Sequence, residues 1–232
     1  MKNSYKMAVA VCTLTFALTL TACDDSTSAS NNGDNGSSTS ISCTDHAQCP
    51  ITLEEGTICD VRDGKIYKVA TFGSQTWMVQ NLNYYDCGIK GESWCNDEND
   101  ANCEQYGRLY SWPGALAVER EFRTHYASLT GVQRGNCPSG FHIPSDVEVD
   151  TLIAYLEEND NVAEFGFLYG GKKNFTGYED FGKTAYFWTA DEDTSELGGP
   201  TNALIWSYSE TFGFGGGSVF KDSGLSVRCV KD

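Results

Sequence analysis

RGNCPSGFHIPSDVEVDTLIAYL, residues 134–156, sets two signals side by side. The second half is a helix whose start is spelled out. Ser145 can accept from the backbone of residue 148 and Glu148 can reach back to residue 145, a capping box. Val149, Leu152, Ile153 and Leu156 then recur at helical spacing as one apolar face, and Pro144 blocks extension upstream. The first half stands Cys137 at the entrance to that helix. A helix with one apolar face must dock on the core, so the partner of Cys137 is sought on the same core. LSVRCVK, near the end of the chain, supplies it: side chains alternate along a strand, so Leu225, Val227 and Cys229 share a face. A Cys137–Cys229 bridge is therefore expected. It would close most of the domain into one loop and stabilise it by about 4.6 kcal/mol, against about 2.6 kcal/mol for a short Cys95–Cys103 ring.

The rest of the chain agrees with a disulfide framework. Residues 1–22, MKNSYKMAVAVCTLTFALTLTA, carry Lys2 and Lys6 before an apolar run from Met7 to Leu20. That is the anatomy of a secretory signal, short for a stable membrane span. Leu20-Thr21-Ala22-Cys23 resembles a bacterial lipobox, which implies cleavage before Cys23 and lipidation of its sulfur. Several acyl chains, at about 0.8 kcal/mol per buried CH2, hold a protein on a membrane where one chain is marginal. DDSTSASNNGDNGSSTSIS follows, with almost nothing apolar to bury, so residues 23–42 read as a lipidated N-terminus and flexible tether. Asp24 and Asp25 resemble the export signal of some outer-membrane lipoproteins, and equally the inner-membrane retention signal of enterobacteria. The localisation expected is the outer membrane, surface-exposed, with a periplasm-facing alternative.

Ten cysteines less Cys12 in the signal and Cys23 leave Cys43, Cys49, Cys59, Cys87, Cys95, Cys103, Cys137 and Cys229. An even set in an exported chain implies disulfides, with about a hundred pairings open. No C-x2-C pair occurs, and His46, His125 and His142 stand at no finger spacing, so no zinc site is expected. The formal net charge is −16, and cleavage would remove Lys2 and Lys6 and no acid, leaving −18. Such a chain repels phosphate backbones, which argues against a nucleic-acid partner.

Residues 43–59 form a cysteine-rich lead-in and 60–232 one domain. IYKVATF and QTWMVQNL flank Gly73-Ser74 as a hairpin. TAYFWTA, NALIWSYS and LSVRCVK read as three further strands. A second, shorter helix lies within GRLYSWPGALAVEREF, limited by Pro113 and Gly114. Strands at both ends with helices between them predict an α+β fold of short antiparallel strands and one or two helices.

VRDGKIYKVATFGSQTWMVQNLNYYD, CNDENDANCEQYGRLYSW, RGNCPSGFHIPSDVEVDTL and GLSVRCVKD, in this order over about residues 60–232, resemble the Fibrobacter succinogenes major paralogous domain family. Phe141 stands where that family usually has tryptophan, and the stretch between the helix and TAYFWTA is short for it. The C-PSGFHIPS-helix and terminal VRC pattern is in turn similar to C-type-lectin-like domains. The resemblance implies a disulfide-stapled fold with a variable loop face used for binding. With proximity, it pairs Cys95 with Cys103; Cys43–Cys49 and Cys59–Cys87 complete the expected set. The calcium triplets of lectins are absent.

Three candidate sites remain. CNDENDANC holds Asp97, Glu98 and Asp100 with Asn96 and Asn99, oxygen ligands dense enough for calcium, yet without EF-hand spacing; it reads as a solvated loop, and neither metal nor cofactor is expected. Trp206 and Tyr208 share a strand face, and Phe212 and Phe214 follow in the Gly-rich TFGFGGGSVF, so these four rings are the candidate ligand-binding residues, able to stack on sugars. The competing reading makes Trp206 core and the Gly-rich stretch a hairpin end. His142 reads as structural. No nucleophile–base–acid motif selects a catalytic residue. The expected function is non-enzymatic: a surface lipoprotein binding glycan or another envelope component, with polysaccharide or a surface protein as partner. A polysaccharide-active hydrolase is the alternative.

Overall fold

The computed structural model describes residues 48–85, 87 and 92–232. The signal, Cys23, the tether and Cys43 lie outside the described residues. In chain order the elements are β1 (Thr57–Cys59), β2 (Ile66–Phe72), β3 (Gln75–Met78), β4 (Ser93–Trp94), α1 (Asp100–Tyr106), β5 (Leu109–Tyr110), α2 (Trp112–Leu116), β6 (Phe141–His142), α3 (Asp146–Glu158), α4 (Val162–Phe165), β7 (Lys172–Asn174), β8 (Gly177–Glu179), β9 (Ala185–Glu192), β10 (Asn202–Ser209), β11 (Gly213–Phe220) and β12 (Val230–Lys231). Two 3-10 turns, Asn96–Glu98 and Arg120–Arg123, complete the set. The fold is thus mixed α and β with antiparallel sheets, in the order β1-β2-β3-β12-β6 for the largest and β11-β10-β9 for the next.

The predicted hairpin is β2–β3, with Phe72 opposite Gln75 across a two-residue turn. Gly73 sits there at φ 61°, a left-handed conformation that favours glycine. The predicted helix is α3. Ser145 and Glu148 close the capping box, and Val149, Leu152 and Leu156 are buried. The expectation of one or two helices is corrected: among the described residues four α-helical segments form, three of them of seven residues or fewer. Segments of one or two turns show no periodicity to read. Local chemistry defines them instead: Asn99 caps α1 by accepting from the Ala101 amide, and Ser111 caps α2 by accepting from the Gly114 amide.

The C-terminal segment is the hub. Leu225, Val227 and Cys229 enter one apolar cluster with Tyr110, Trp112 and Trp188, while Val230 enters a second with Trp77, Leu152 and Trp206. Both faces are buried, because neighbours attach all along it. The Tyr110 amide donates to Leu225 O (2.7 Å), Trp188 N to Ser226 O (3.2 Å), Leu82 N to Val227 O (2.9 Å) and Met78 N to Cys229 O (2.9 Å). Only Val230–Lys231 of it form a regular strand, between β3 and β6.

The Cys137–Cys229 and Cys95–Cys103 bridges are present. The lead-in is corrected: Cys49 bonds Cys59, which excludes both the Cys43–Cys49 and Cys59–Cys87 pairings. Cys87 is itself disulfide-bonded. β1 lies antiparallel to β2, with Cys59 opposite Ile66, so Cys59 is held on the sheet margin and takes the cysteine nearest that margin. The other correction is β11. GFGGGSVF, read as a loop, is an eight-residue strand in full register with β10. Glycine has poor strand propensity; here the ladder to β10 and the ring of Phe214 override it.

Candidate functional site

Residues directly opposite in an antiparallel pair share a face. Across β10 and β11 one face therefore carries three rows: Leu204 with Ser218, Trp206 with Gly216, and Tyr208 with Phe214. On β9, Phe187 extends the middle row and Ala185 the last. Helix α3 packs on this sheet over β9 and β10, but β11 is an edge strand. Where the flank of α3 meets that edge, an open groove of about 350 Å³ remains. Its floor is Gly215–Gly217, and its walls include Phe214 and, from α3, Asp146, Asp150 and Ile153.

The missing side chains make this groove. A Cβ built on Gly216 would come no closer to other residues than 3.7 Å, from Ile205 O, and one on Gly217 would meet nothing within 4 Å. A side chain at Gly216 would enter the trough with room at its Cβ, whereas at Gly217 the φ of 158° strains any L residue and at Gly215 a Cβ would stand 3.0 Å from Ser207 Oγ. The walls carry acid and no base: no lysine or arginine lines the groove. The Asp146 amide donates to Asp191 Oδ2 (2.6 Å). Burial, with Asp150 and Asp191 nearby, holds the Asp146 carboxyl above its usual range.

The four predicted rings separate. Trp206 is 2 % exposed. Phe187 stacks on it at 4.4 Å, and Phe165, Phe167 and Trp77 surround it at 5.8, 5.9 and 6.3 Å. It is a core residue with no free face to offer, so the competing reading holds for it; its Nε1 is buried without a hydrogen-bond partner. Tyr208 and Phe214 are half-buried. They lie 5.0 Å apart, and Phe167 stacks on Tyr208 at 4.3 Å. Phe212 is 87 % exposed, at the tip of the β10–β11 hairpin. It borders a second hollow of about 350 Å³ with Tyr169, Lys183, Thr184, Glu210 and Thr211. There the Tyr169 hydroxyl donates to Glu210 Oε1 (3.3 Å), and burial followed by the Glu210 charge raises its pKa.

Asp146, Asp150 and Ile153 escaped the sequence reading as site residues. Their spacing does put them on one helical stripe beside the buried one. Three consecutive glycines inside a strand pattern are the other signal, since they mark a close approach to the backbone. Phe167 left no signal, because its segment has no regular structure.

The other candidates are structural in their geometry. In CNDENDANC, the Asn96 side chain turns inward and donates to Gly170 O (3.0 Å), and Asn99 is spent on capping α1. Among the described residues no group of three or more His, Cys, Asp or Glu side chains is placed to hold a metal ion. His142 is buried, with Nδ1 2.9 Å from Asp232 Oδ1 and Nε2 2.9 Å from Glu148 Oε1, so both ring nitrogens are engaged. None of the described helices is long and apolar enough to cross a membrane.

No curated protein and no solved structure matches the chain. One family model does, over residues 70–167, from β2 through α3 to Phe167. Over that segment the chain matches the Fibrobacter succinogenes major domain family, and the resemblance read from its motifs is supported there.

Proposed function

We propose that the protein is a non-enzymatic, lipid-anchored envelope protein that binds glycan in the groove between α3 and β11. The observation that carries this reading is the groove itself: a side-chain-free stretch at Gly215–Gly217 beside the half-buried ring of Phe214, with the Asp146 and Asp150 carboxylates in its lining. Sugars present apolar ring faces and rows of hydroxyl donors. A flat glycine floor admits the ring, Phe214 offers an apolar edge, and Asp146 and Asp150 accept from hydroxyls. The fold reading that accompanies it is a C-type-lectin-like one, supported by the bridge from the terminal segment to the entrance of α3. The site proposed here needs no calcium.

The anchor reading rests on Leu20-Thr21-Ala22-Cys23 and the polar stretch after it. It places the domain on an outer membrane, facing outward, in adhesion or cell-surface organisation. In this reading, Cys23→Ala abolishes processing and moves the protein out of the detergent phase; unchanged partition with a cleaved, unmodified N-terminus refutes the anchor.

The binding reading is tested by Gly216→Leu. The Cβ there has room, no nearer than 3.7 Å to Ile205 O, and the rest of the leucine side chain would occupy the trough. The variant is expected to melt within a degree or two of the parent and to lose its signals on a glycan array. A variant that keeps every signal moves the site elsewhere. Release of reducing sugar by the parent, abolished by changing one carboxylate, instead establishes a hydrolase.

A further inference from the structure

We propose that a single linear polysaccharide chain without anionic groups occupies both hollows at once, running along the β10–β11 hairpin across the Tyr208–Phe214 row. This rests on the glycan reading of the groove and deepens it by naming the shape and charge class of the ligand.

The two hollows belong to one hairpin. The groove is floored by Gly215–Gly217 and ends at Phe214. The second hollow begins at Ser209, next to Tyr208, and ends at Phe212. Tyr208 and Phe214 are partners in register, so the row they form lies between the hollows along the hairpin. That step is aromatic and half-buried, with Phe167 stacked on Tyr208 from the same face and Phe214 on the edge strand as its outer ring. It is the kind of surface over which a sugar ring passes, and not one that needs a charge or a deep pocket. From Gly216 to Phe212 the hairpin runs at most about 14 Å, at about 3.4 Å per residue. At that full extension the path is longer than a disaccharide, whereas an extended chain of several units spans it.

Phe212 is otherwise unexplained. Its ring is 87 % exposed at a hairpin tip, and it stands beside Tyr169, Thr184 and Thr211 around the second hollow. A ring face with hydroxyls around it suits a second sugar. Charge narrows the class. Asp146 and Asp150 face the groove with no cation among its lining residues, and at the tip the single Lys183 is outnumbered by Asp180 and Glu210. A uronate or sulfated chain meets repulsion at every step. Two weak subsites joined by one ligand act through effective concentration, so affinity rises steeply once the chain is long enough to reach both.

The test is a titration of the full-length protein, in a detergent without a sugar headgroup, with β-1,4-linked gluco-, xylo- and manno-oligosaccharides of two, four and six units. In at least one series, affinity is expected to rise by about a hundredfold from dimer to hexamer. Phe212→Ala and Gly216→Leu should each cancel that gain, at unchanged melting temperature. If Gly216→Leu folds poorly, Gly216→Ser serves, since its side chain is small. Equal binding of dimer and hexamer, with Phe212→Ala silent, overturns the two-hollow inference while leaving a glycan site in the groove. Binding of oligogalacturonate as tight as that of the best neutral chain overturns the charge class. No binding at any length in any series overturns both the inference and the reading beneath it.

Discussion

Arg228 is the residue most at odds with its surroundings. It is fully buried, and no carboxylate bonds it. Its guanidinium donates instead to Asn81 Oδ1 (2.8 Å), Phe165 O (2.7 Å) and Gly166 O (2.6 Å), and lies over the Phe165 ring at 4.6 Å. Burial pushes its pKa down to about 9, which still leaves it charged at neutral pH. Lys221, also fully buried, has the Glu192 carboxylate; Arg228 has only dipoles and ring faces. The planar fork matters because the three oxygens surround it at fixed angles. Arg228→Met would leave those oxygens without a donor, at about 1–3 kcal/mol each, partly offset by removing a buried charge. A net loss of about 3 kcal/mol is expected in urea unfolding at unchanged slope, with Arg228→Lys intermediate. A methionine variant as stable as the parent would show that burying the charge was a net cost.

Among the elements, α3 does two jobs through one residue. Glu148 closes the capping box, where Oε2 accepts from the Ser145 amide (2.9 Å) and hydroxyl (2.7 Å), and Oε1 meets the buried His142. Burial alone would raise its pKa, but the Ser145 donors and His142 outweigh burial and the net shift is downward. A carboxyl with a lowered folded pKa adds stability that is complete above its unfolded value and lost as pH falls through the folded one. The parent should therefore lose stability on acidification below the ordinary glutamate range. Glu148→Gln keeps a side chain able to close the box and cannot titrate, so part of that acid slope should vanish from a pH series of urea midpoints. Ser145→Ala removes the cap itself and the hydroxyl that donates to ionised Glu148, so it should cost about 1 kcal/mol at neutral pH and less once Glu148 is protonated. Identical acid slopes in parent and Glu148→Gln would assign the loss to other carboxylates.

Across the whole molecule, the bridges differ in what they hold. Cys137–Cys229 spans 92 residues and Cys95–Cys103 spans 8. Chain entropy alone makes the first worth about 4.6 kcal/mol and the second about 2.6 kcal/mol. Cys229 also sits in the hub segment, where Met78 hydrogen-bonds its carbonyl. Cys137→Ala with Cys229→Ala should lower the melting temperature clearly more than Cys95→Ala with Cys103→Ala. The reverse order would mean that the hub holds without its staple. Both sulfurs of the long bridge are fully buried, so a mild reductant should leave it intact until the domain unfolds.

The sequence by itself determined whatever depends on near neighbours or on a strict period. The capping box at Ser145, the Gly73-Ser74 turn and the apolar stripe of α3 are local chemistry. The alternation Leu225, Val227, Cys229 was enough to assign the long bridge, because one face of a strand points one way. The remaining features depend on contacts the chain makes far from itself. Cys49 pairs with Cys59 because β1 lies on β2, and no spacing rule contains that. Val230 and Arg228 proved as buried as Leu225, since a central strand has neighbours on both sides; the sequence shows only that such a stretch is apolar on alternate positions. Trp206 could not be told from Tyr208 and Phe214 along the chain, as all are aromatic on one face. Tertiary packing separated them, by setting four rings around Trp206 and leaving the other two at the margin of the sheet. It also turned GFGGGSVF from a loop into an edge strand, because the backbone ladder to β10 outweighs what glycine prefers alone. The groove at Gly215–Gly217 exists only once α3 and β11 meet.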